Sequence, residues 1–124
     1  MSLRLVTIRK SFDGHIVLRD VSIDIGRGEF FTFLGPSGSG KTTLLRIIAG
    51  LEEPDSGAII IDGADVTHLP PHMRGVSMVF QNYALWPHMT VFDNVAYGLR
   101  VRGVPEAEVR RRVTEVLELS LIHI

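Results

Sequence analysis

The chain has 124 residues, a formal net charge of −1, 45% hydrophobic and 22% charged residues, and no cysteine. That balance fits one globular domain with a modest core and argues against a disordered segment. It lacks the net positive charge that would draw a protein to nucleic acid or an anionic membrane, and without thiols there are no disulfides, thiolate metal sites or cysteine nucleophiles.

Charges are spread through Met1–Lys10, so no apolar core of a signal peptide stands there. No apolar run approaches the ~18 residues of a spanning helix. The sequence therefore predicts a chain that is soluble on its own and would serve a membrane only by docking. Leu3 to Ser11 reads as a strand, and Asp13-Gly14 as a turn. Ile16 to Ile25 alternates, with Val21, Ile23 and Ile25 on one face and Ser22 and Asp24 on the other, as in an antiparallel strand with one wet face. Gly26-Arg27-Gly28 turns the chain into Glu29–Leu34, an apolar, aromatic run of strand length.

Next comes Gly35-Pro36-Ser37-Gly38-Ser39-Gly40-Lys41-Thr42, which fits G-x-x-x-x-G-K-[ST] without a mismatch. Thr43 to Leu51 follows, apolar at helical spacing. Strand, glycine loop and helix form the context in which this motif binds phosphate. Gly35, Gly38 and Gly40 permit backbone angles that a Cβ forbids, so successive N–H groups can turn toward an anion. The helix adds its unpaired N–H groups and the positive end of its dipole. Lys41 brings a full charge to the β- and γ-phosphates of a nucleotide. Thr42 offers a hydroxyl to Mg²⁺, and Thr43 a further contact to phosphate.

Beyond this helix, Glu52–Gly57 reads as a loop, Ala58–Ile61 as a short buried strand, and Asp62-Gly63 as a turn. Asp62 ends an apolar strand, as the Mg²⁺-binding Asp of phosphate-loop enzymes does. Gly63 stands where a catalytic Glu belongs, so Asp62 is read as a turn residue. Thr67–Gly75, with Pro70-Pro71, is irregular. Val76–Phe80 is a further strand with Gln81 at its C-terminal end, and Asn82–Met89 a loop carrying Tyr83, Trp86 and Pro87. Thr90-Val91-Phe92-Asp93 resembles a capping box with Asp93 in place of Glu or Gln, opening a helix to about Arg102 with Gly103 just past its end. A last helix starts at Val104-Pro105, with Val109, Val113, Val116 and Leu117 on one face and Glu106–Arg110 and Glu108–Arg112 as i,i+4 pairs. The histidines at 15, 68, 72, 88 and 123 show no metal-ligand spacing. Pro70 and Pro71 disfavour a helix that would align His68 with His72, and no transition-metal site is expected.

These residues carry a family resemblance. Gly35–Thr43 (GPSGSGKTT) with Leu44–Leu51 resembles the phosphate loop of an ATP-binding cassette (ABC) transporter ATPase. Met78–Val91 (MVFQNYALWPHMTV) is similar to the glutamine loop of the importer type that serves polyamines, ferric iron, sulfate and sugars. The resemblance spans residues 1 to about 118 and implies an α/β fold of the P-loop type, with an antiparallel β subdomain and the start of a helical subdomain. It also implies roles. Phe12 takes the place of the aromatic that stacks on adenine, and Val17 packs against base or ribose. Gln81 reaches Mg²⁺ and the attacking water. Tyr83–Met89 docks on a coupling helix of a membrane permease subunit. The implied cofactors are ATP and Mg²⁺. The implied partners are the permease and a second ATPase subunit, and the implied location is the cytoplasmic face of the plasma membrane.

The chain departs from the family in its second half. The 124 residues contain no LSGGQ-type signature, no buried strand ending in Asp-Glu and no switch histidine after it. The expectation is an N-terminal part of the ATP-binding domain over 1–118, able at most to bind nucleotide. Leu119–Ile124 resembles the translation of a transposon end used in sequencing libraries and is set aside as a non-native tail. Two other readings stay open: a non-catalytic nucleotide-binding or interaction module, and a different P-loop GTPase or kinase.

Overall fold

A computed structural model describes residues 1–121. The chain forms two compact units, Met1–Met78 and Val79–Ile124. The first is built on a four-stranded antiparallel sheet in the order β2-β1-β3-β4, with β1 at Leu3–Phe12, β2 at His15–Ile25, β3 at Ser56–Ile61 and β4 at Ala64–Asp65. Two tight hairpins set its register. Asp13 and Gly14 (φ 47° and 79°) join Phe12 to its partner His15. Asp62 and Gly63 (φ 48° and 80°) join Ile61 to Ala64. Paired left-handed residues are what a two-residue hairpin needs to match strand twist. Asp62 is thus a turn residue, and its carboxylate accepts the Ser2 backbone N–H at 2.7 Å.

The alternation expected in β2 is present: Val21, Ile23 and Ile25 are half-buried while Ser22 and Asp24 are exposed. The ladder is bulged where Thr7 and Asp20 adopt φ of 45° and 49°. Bulges of this kind sharpen twist and bend a sheet around what packs on it.

Helix α1, Lys41–Ala49, packs Leu44 and Ile47 into a core with Leu5, Ile8, Leu18, Ile59, Ile61 and Val66. Ile8, Ile47 and Ile59 are wholly buried. A fully buried Ile contributes about 1.5–3 kcal/mol over an exposed one. At its C-terminus, Gly50 N–H bonds Ile47 O and Leu51 N–H bonds Arg46 O, the two bonds of a Schellman stop. Arg74, only 5% exposed, adds further donors at this helix end. Its Nη1 donates to Ile47 O at 2.8 Å and Ile48 O at 3.2 Å. Its Nε donates to Leu69 O and its Nη2 to Thr67 O. Burial holds the Arg74 pKa below the usual arginine value.

Two expected strands do not form. Glu29–Leu34 and Val76–Phe80 take up no regular secondary structure and have no ladder partner among the described residues. Apolar runs of strand length need a neighbour to satisfy their N–H and C=O groups. Here Phe33 and Val76 pack against the first core, while Phe30, Leu34 and Val79 are almost wholly exposed. Two short elements went unread: β4, and a 3₁₀ turn at Pro71–Met73 inside the stretch expected to be irregular.

The second unit pairs α2, Val91–Val101, with α3, Glu106–Leu119, around Ala96, Val109 and Val113. Thr90 Oγ1 accepts the Asp93 N–H at 3.1 Å. The Asp93 carboxylate takes the Thr90 hydroxyl and the Arg100 guanidinium, so only half of the expected capping box closes. Asp93 is one methylene shorter than Glu, and here it is spent on these two partners. Gly103 ends α2 as expected, at φ 72°. The apolar face of α3 is narrower than its spacing suggested: Val116 is exposed, because the seam against α2 runs through 109, 113 and 117. Glu108 pairs with Arg112 as read, but Glu106 pairs with Arg100 and not with Arg110. Of the segment expected to be foreign, Leu119 ends α3 and Ser120 caps it. Residues 122–124, His123 among them, lie outside the described residues.

Candidate functional site

The phosphate-loop sequence folds as an exposed loop between the unpaired Glu29–Leu34 segment and α1. Pro36 to Ser39 makes a four-residue turn closed by Ser39 N–H on Pro36 O at 3.2 Å, with Gly38 at φ 81° in the third position. Gly40 caps α1 at φ 94°. A Cβ there would lie 3.0 Å from Leu18 Cδ2 and from Val17 O, and 3.2 Å from Val17 Cγ1. Both angle and space therefore demand glycine. Gly35 differs from expectation. It is absent from the left-handed region, and its constraint is room, since a Cβ would lie 2.8 Å from Ser39 Oγ.

The Lys41 ammonium donates to Gly35 O at 2.6 Å, Pro36 O at 2.7 Å and Ser39 Oγ at 3.0 Å. The loop thus curls around its own cation. The first turn of α1 carries no acidic residue and Gly40 offers no side-chain cap, so its leading N–H groups keep their donor capacity. Thr42 is exposed and Thr43 half-buried on that turn. Ser37 and Gly38 leave the rim open. A glycine cradle, a mobile cation, uncapped helix donors and adjacent hydroxyls suit an oligophosphate and its metal ion. Lys41 and Ser39 also border a cleft of about 330 Å³ lined mostly by apolar side chains, Leu18, Val21, Phe31 and Leu34 among them.

The structure brings Val17 against the last glycine of the loop. Phe12 closes the β1–β2 hairpin and is 41% exposed as a residue. The Lys10 ammonium stands 5.0 Å from the Phe12 ring centroid. This neighbour was missed, although strand period places residues 10 and 12 on one face.

Gln81 belongs to the second unit, at an exposed turn where Tyr83 N–H bonds Phe80 O at 3.0 Å. Tyr83 and Ala84 then take consecutive left-handed angles, 64° and 47°. The following loop is ordered from within. Asn94 accepts the Trp86 N–H at 2.9 Å and donates to the carbonyls of Trp86, Met89 and Thr90. Trp86 leans on Tyr97, ring centroids 4.5 Å apart, while Tyr83 and Leu85 remain exposed.

The comparisons agree with this architecture. The spermidine/putrescine import ATP-binding protein PotA of Aggregatibacter actinomycetemcomitans is 55% identical over 117 residues, 94% of this chain and 32% of that protein. The PotA protein of Vibrio vulnificus strain YJ016 is 56% identical over 117 residues. The chain thus spans about a third of the length of the curated relatives it matches. Among solved structures, a dimeric post-hydrolysis state of the ATP-binding cassette MJ0796 bound to ADP and Pi superposes with a TM-score of 0.82 at 31% identity. It covers 94% of this chain and 56% of the other. The family model described as ABC transporter matches residues 18–123, and the chain belongs to that family.

Proposed function

We propose that the protein containing these residues is the ATP-binding subunit of an ABC importer, which couples binding and hydrolysis of MgATP to uptake of a small solute. The observation that carries this reading is the Gly35–Thr43 loop, with Lys41 held by three exchangeable oxygens at the uncapped start of α1. The names of the relatives favour a polyamine as the solute.

In this reading Lys41 trades its loop oxygens for phosphate oxygens, and the N–H groups of the α1 first turn take the rest of the charge. Gly35, Pro36, Ser37, Gly38, Ser39 and Gly40 form the cradle, with Thr43 beside it. Thr42 would offer its hydroxyl to a bound metal ion, and Gln81 is assigned by the family resemblance to the metal ion and the attacking water. Bound Mg²⁺ would neutralise charge on the β- and γ-phosphate oxygens. Phe12 stacks on the base and Val17 packs beside it, giving affinity with little base selectivity. The exposed Tyr83–Met89 loop docks on a permease subunit, and a second ATPase subunit completes the site. No helix among the described residues is long and apolar enough to cross a membrane, which accords with a peripheral position on the cytoplasmic face. Residues 1–118 are read as the N-terminal part of the ATP-binding domain, with 119–124 as foreign sequence.

The test is MgATP binding by wild type and Lys41→Ala in equilibrium dialysis, after circular dichroism has shown both folded. The expected loss is at least ~1.5 kcal/mol, the scale of a charge-assisted hydrogen bond. Equal affinities would overturn the assignment.

A further inference from the structure

Lys10 forms no part of the phosphate site, yet its side chain is only 12% exposed. Burying a lysine stem is ordinary, whereas pinning its ammonium needs partners. Lys10 Nζ lies 2.8 Å from a Glu52 carboxylate oxygen and 3.7 Å from Asp55. Asp55 is fixed in turn. Its other oxygen accepts the Ser11 N–H at 2.7 Å and the Ser11 hydroxyl at 2.8 Å, and its own N–H bonds Arg9 O at 2.8 Å. The ammonium so held lies over the ring of Phe12.

We propose that Lys10 is a positioning residue for base recognition, holding the Phe12 ring so that one face is occupied by its ammonium and the other is presented to an aromatic base. The proposal rests on the reading of Phe12 as the base platform. Three physical effects support it. An exposed Phe at a hairpin end would otherwise sample several rotamers, and fixing it beforehand lowers the ordering cost of binding. A face covered by a cation cannot take a base, so the stack has one side. The cation also draws ring density toward itself, leaving the far face better suited to an electron-rich purine. Loop 52–55, which follows α1, supplies the anchors. The helix that begins at the phosphate loop is thereby continuous in sequence with the brace of the base platform.

The experiment measures ATP and inorganic tripolyphosphate binding by calorimetry, with Mg²⁺, on the full chain. The variants are Lys10→Met, Lys10→Arg, Glu52→Gln, Phe12→Ala and the Lys10→Met/Phe12→Ala double. Lys10→Met is expected to weaken ATP about three- to tenfold, the scale of a partly desolvated cation–π contact, and to leave tripolyphosphate unchanged. Lys10→Arg should recover ATP affinity to within about twofold. Glu52→Gln should shift ATP in the same direction as Lys10→Met, by less, and serves if Lys10→Met does not fold. In the Phe12→Ala background, Lys10→Met should cost nothing further. Weaker ATP binding by Phe12→Ala with none by Lys10→Met or Glu52→Gln would overturn this proposal and leave the platform reading intact. No loss from Phe12→Ala would overturn both. Equal losses of ATP and tripolyphosphate in Lys10→Met would assign Lys10 to the phosphates or the fold, and also overturn it.

Discussion

Single residues in the phosphate loop are constrained for different reasons, and substitution separates them. At Gly40 a side chain meets a left-handed angle and the Val17 carbonyl at once. Gly40→Ala should therefore destabilise the chain by about 1–3 kcal/mol, read as a lower urea midpoint at unchanged slope. At Gly38 a Cβ would meet nothing within 4 Å, and only the angle of 81° opposes it. Gly38→Ala should cost about 1–2 kcal/mol, no more than Gly40→Ala. A larger loss at 38 than at 40 would show that the loop does not pack on β2. The motif identified these glycines as a set, because its spacing is rigid. It did not distinguish angle from space at Gly35, since Ser39 meets that position only once the loop has curled.

Elements were legible where their pairing is local. Both hairpins carry Asp-Gly at the turn, and helix ends carry Gly50 and Gly103, so β1, β2, α1 and α2 lie within a few residues of their expected bounds. The two apolar runs at 29–34 and 76–80 were misread because a strand is a property of its neighbours as much as of its own residues. Arg74 escaped notice for a related reason. Nothing in the sequence places it at the end of α1, where it donates to the carbonyls of Ile47 and Ile48 and, from the same guanidinium, to those of Thr67 and Leu69. Gly50 makes room for it: a Cβ there would lie 2.7 Å from Arg74 Nε. Arg74→Met keeps the stem and removes the donors, so thermal unfolding should show a loss of about 2–4 kcal/mol. If Arg74 only fills space, Met will be tolerated. On α3, Glu108 accepts from both Arg111 and Arg112, which holds its pKa down at about 2. A depressed carboxylate contributes stability above its unfolded value of about 4.5 and loses it as pH falls through about 2. Far-UV ellipticity titrated from pH 6 to 1.5 should therefore fall within that window in wild type. Glu108→Gln, already without the charge, should show a shallower acid limb. The groups are exposed, so added salt should flatten the difference.

At the scale of the whole molecule, binding and turnover separate. Hydrolysis of a γ-phosphate requires the metal held, the water oriented and the developing charge neutralised together. The first unit carries the loop proposed to cradle phosphate, with Lys41, Thr42 and Thr43, and the second carries Gln81. Among the described residues no buried strand ends in Asp-Glu, and the sequence holds no LSGGQ-type signature, so neither a water-polarising carboxylate nor a contribution across a dimer is expected from these 124 residues. Two copies of these 124 residues are therefore expected not to complete a hydrolytic site for each other. Positioning and general-base catalysis are each worth orders of magnitude, so turnover should stay near background even when ATP is bound. The exposed apolar side chains of Phe30, Leu34 and Val79 add a physical limit, because patches of this kind promote self-association. Activity must be read on the monomer fraction from size exclusion. The measurement is phosphate release by that fraction beside its Lys41→Ala variant. The expected result is saturable, Lys41-dependent ATP binding with phosphate release indistinguishable between the two. Turnover that disappears with Lys41 would show that residues within this chain suffice for the chemistry and would overturn the expectation.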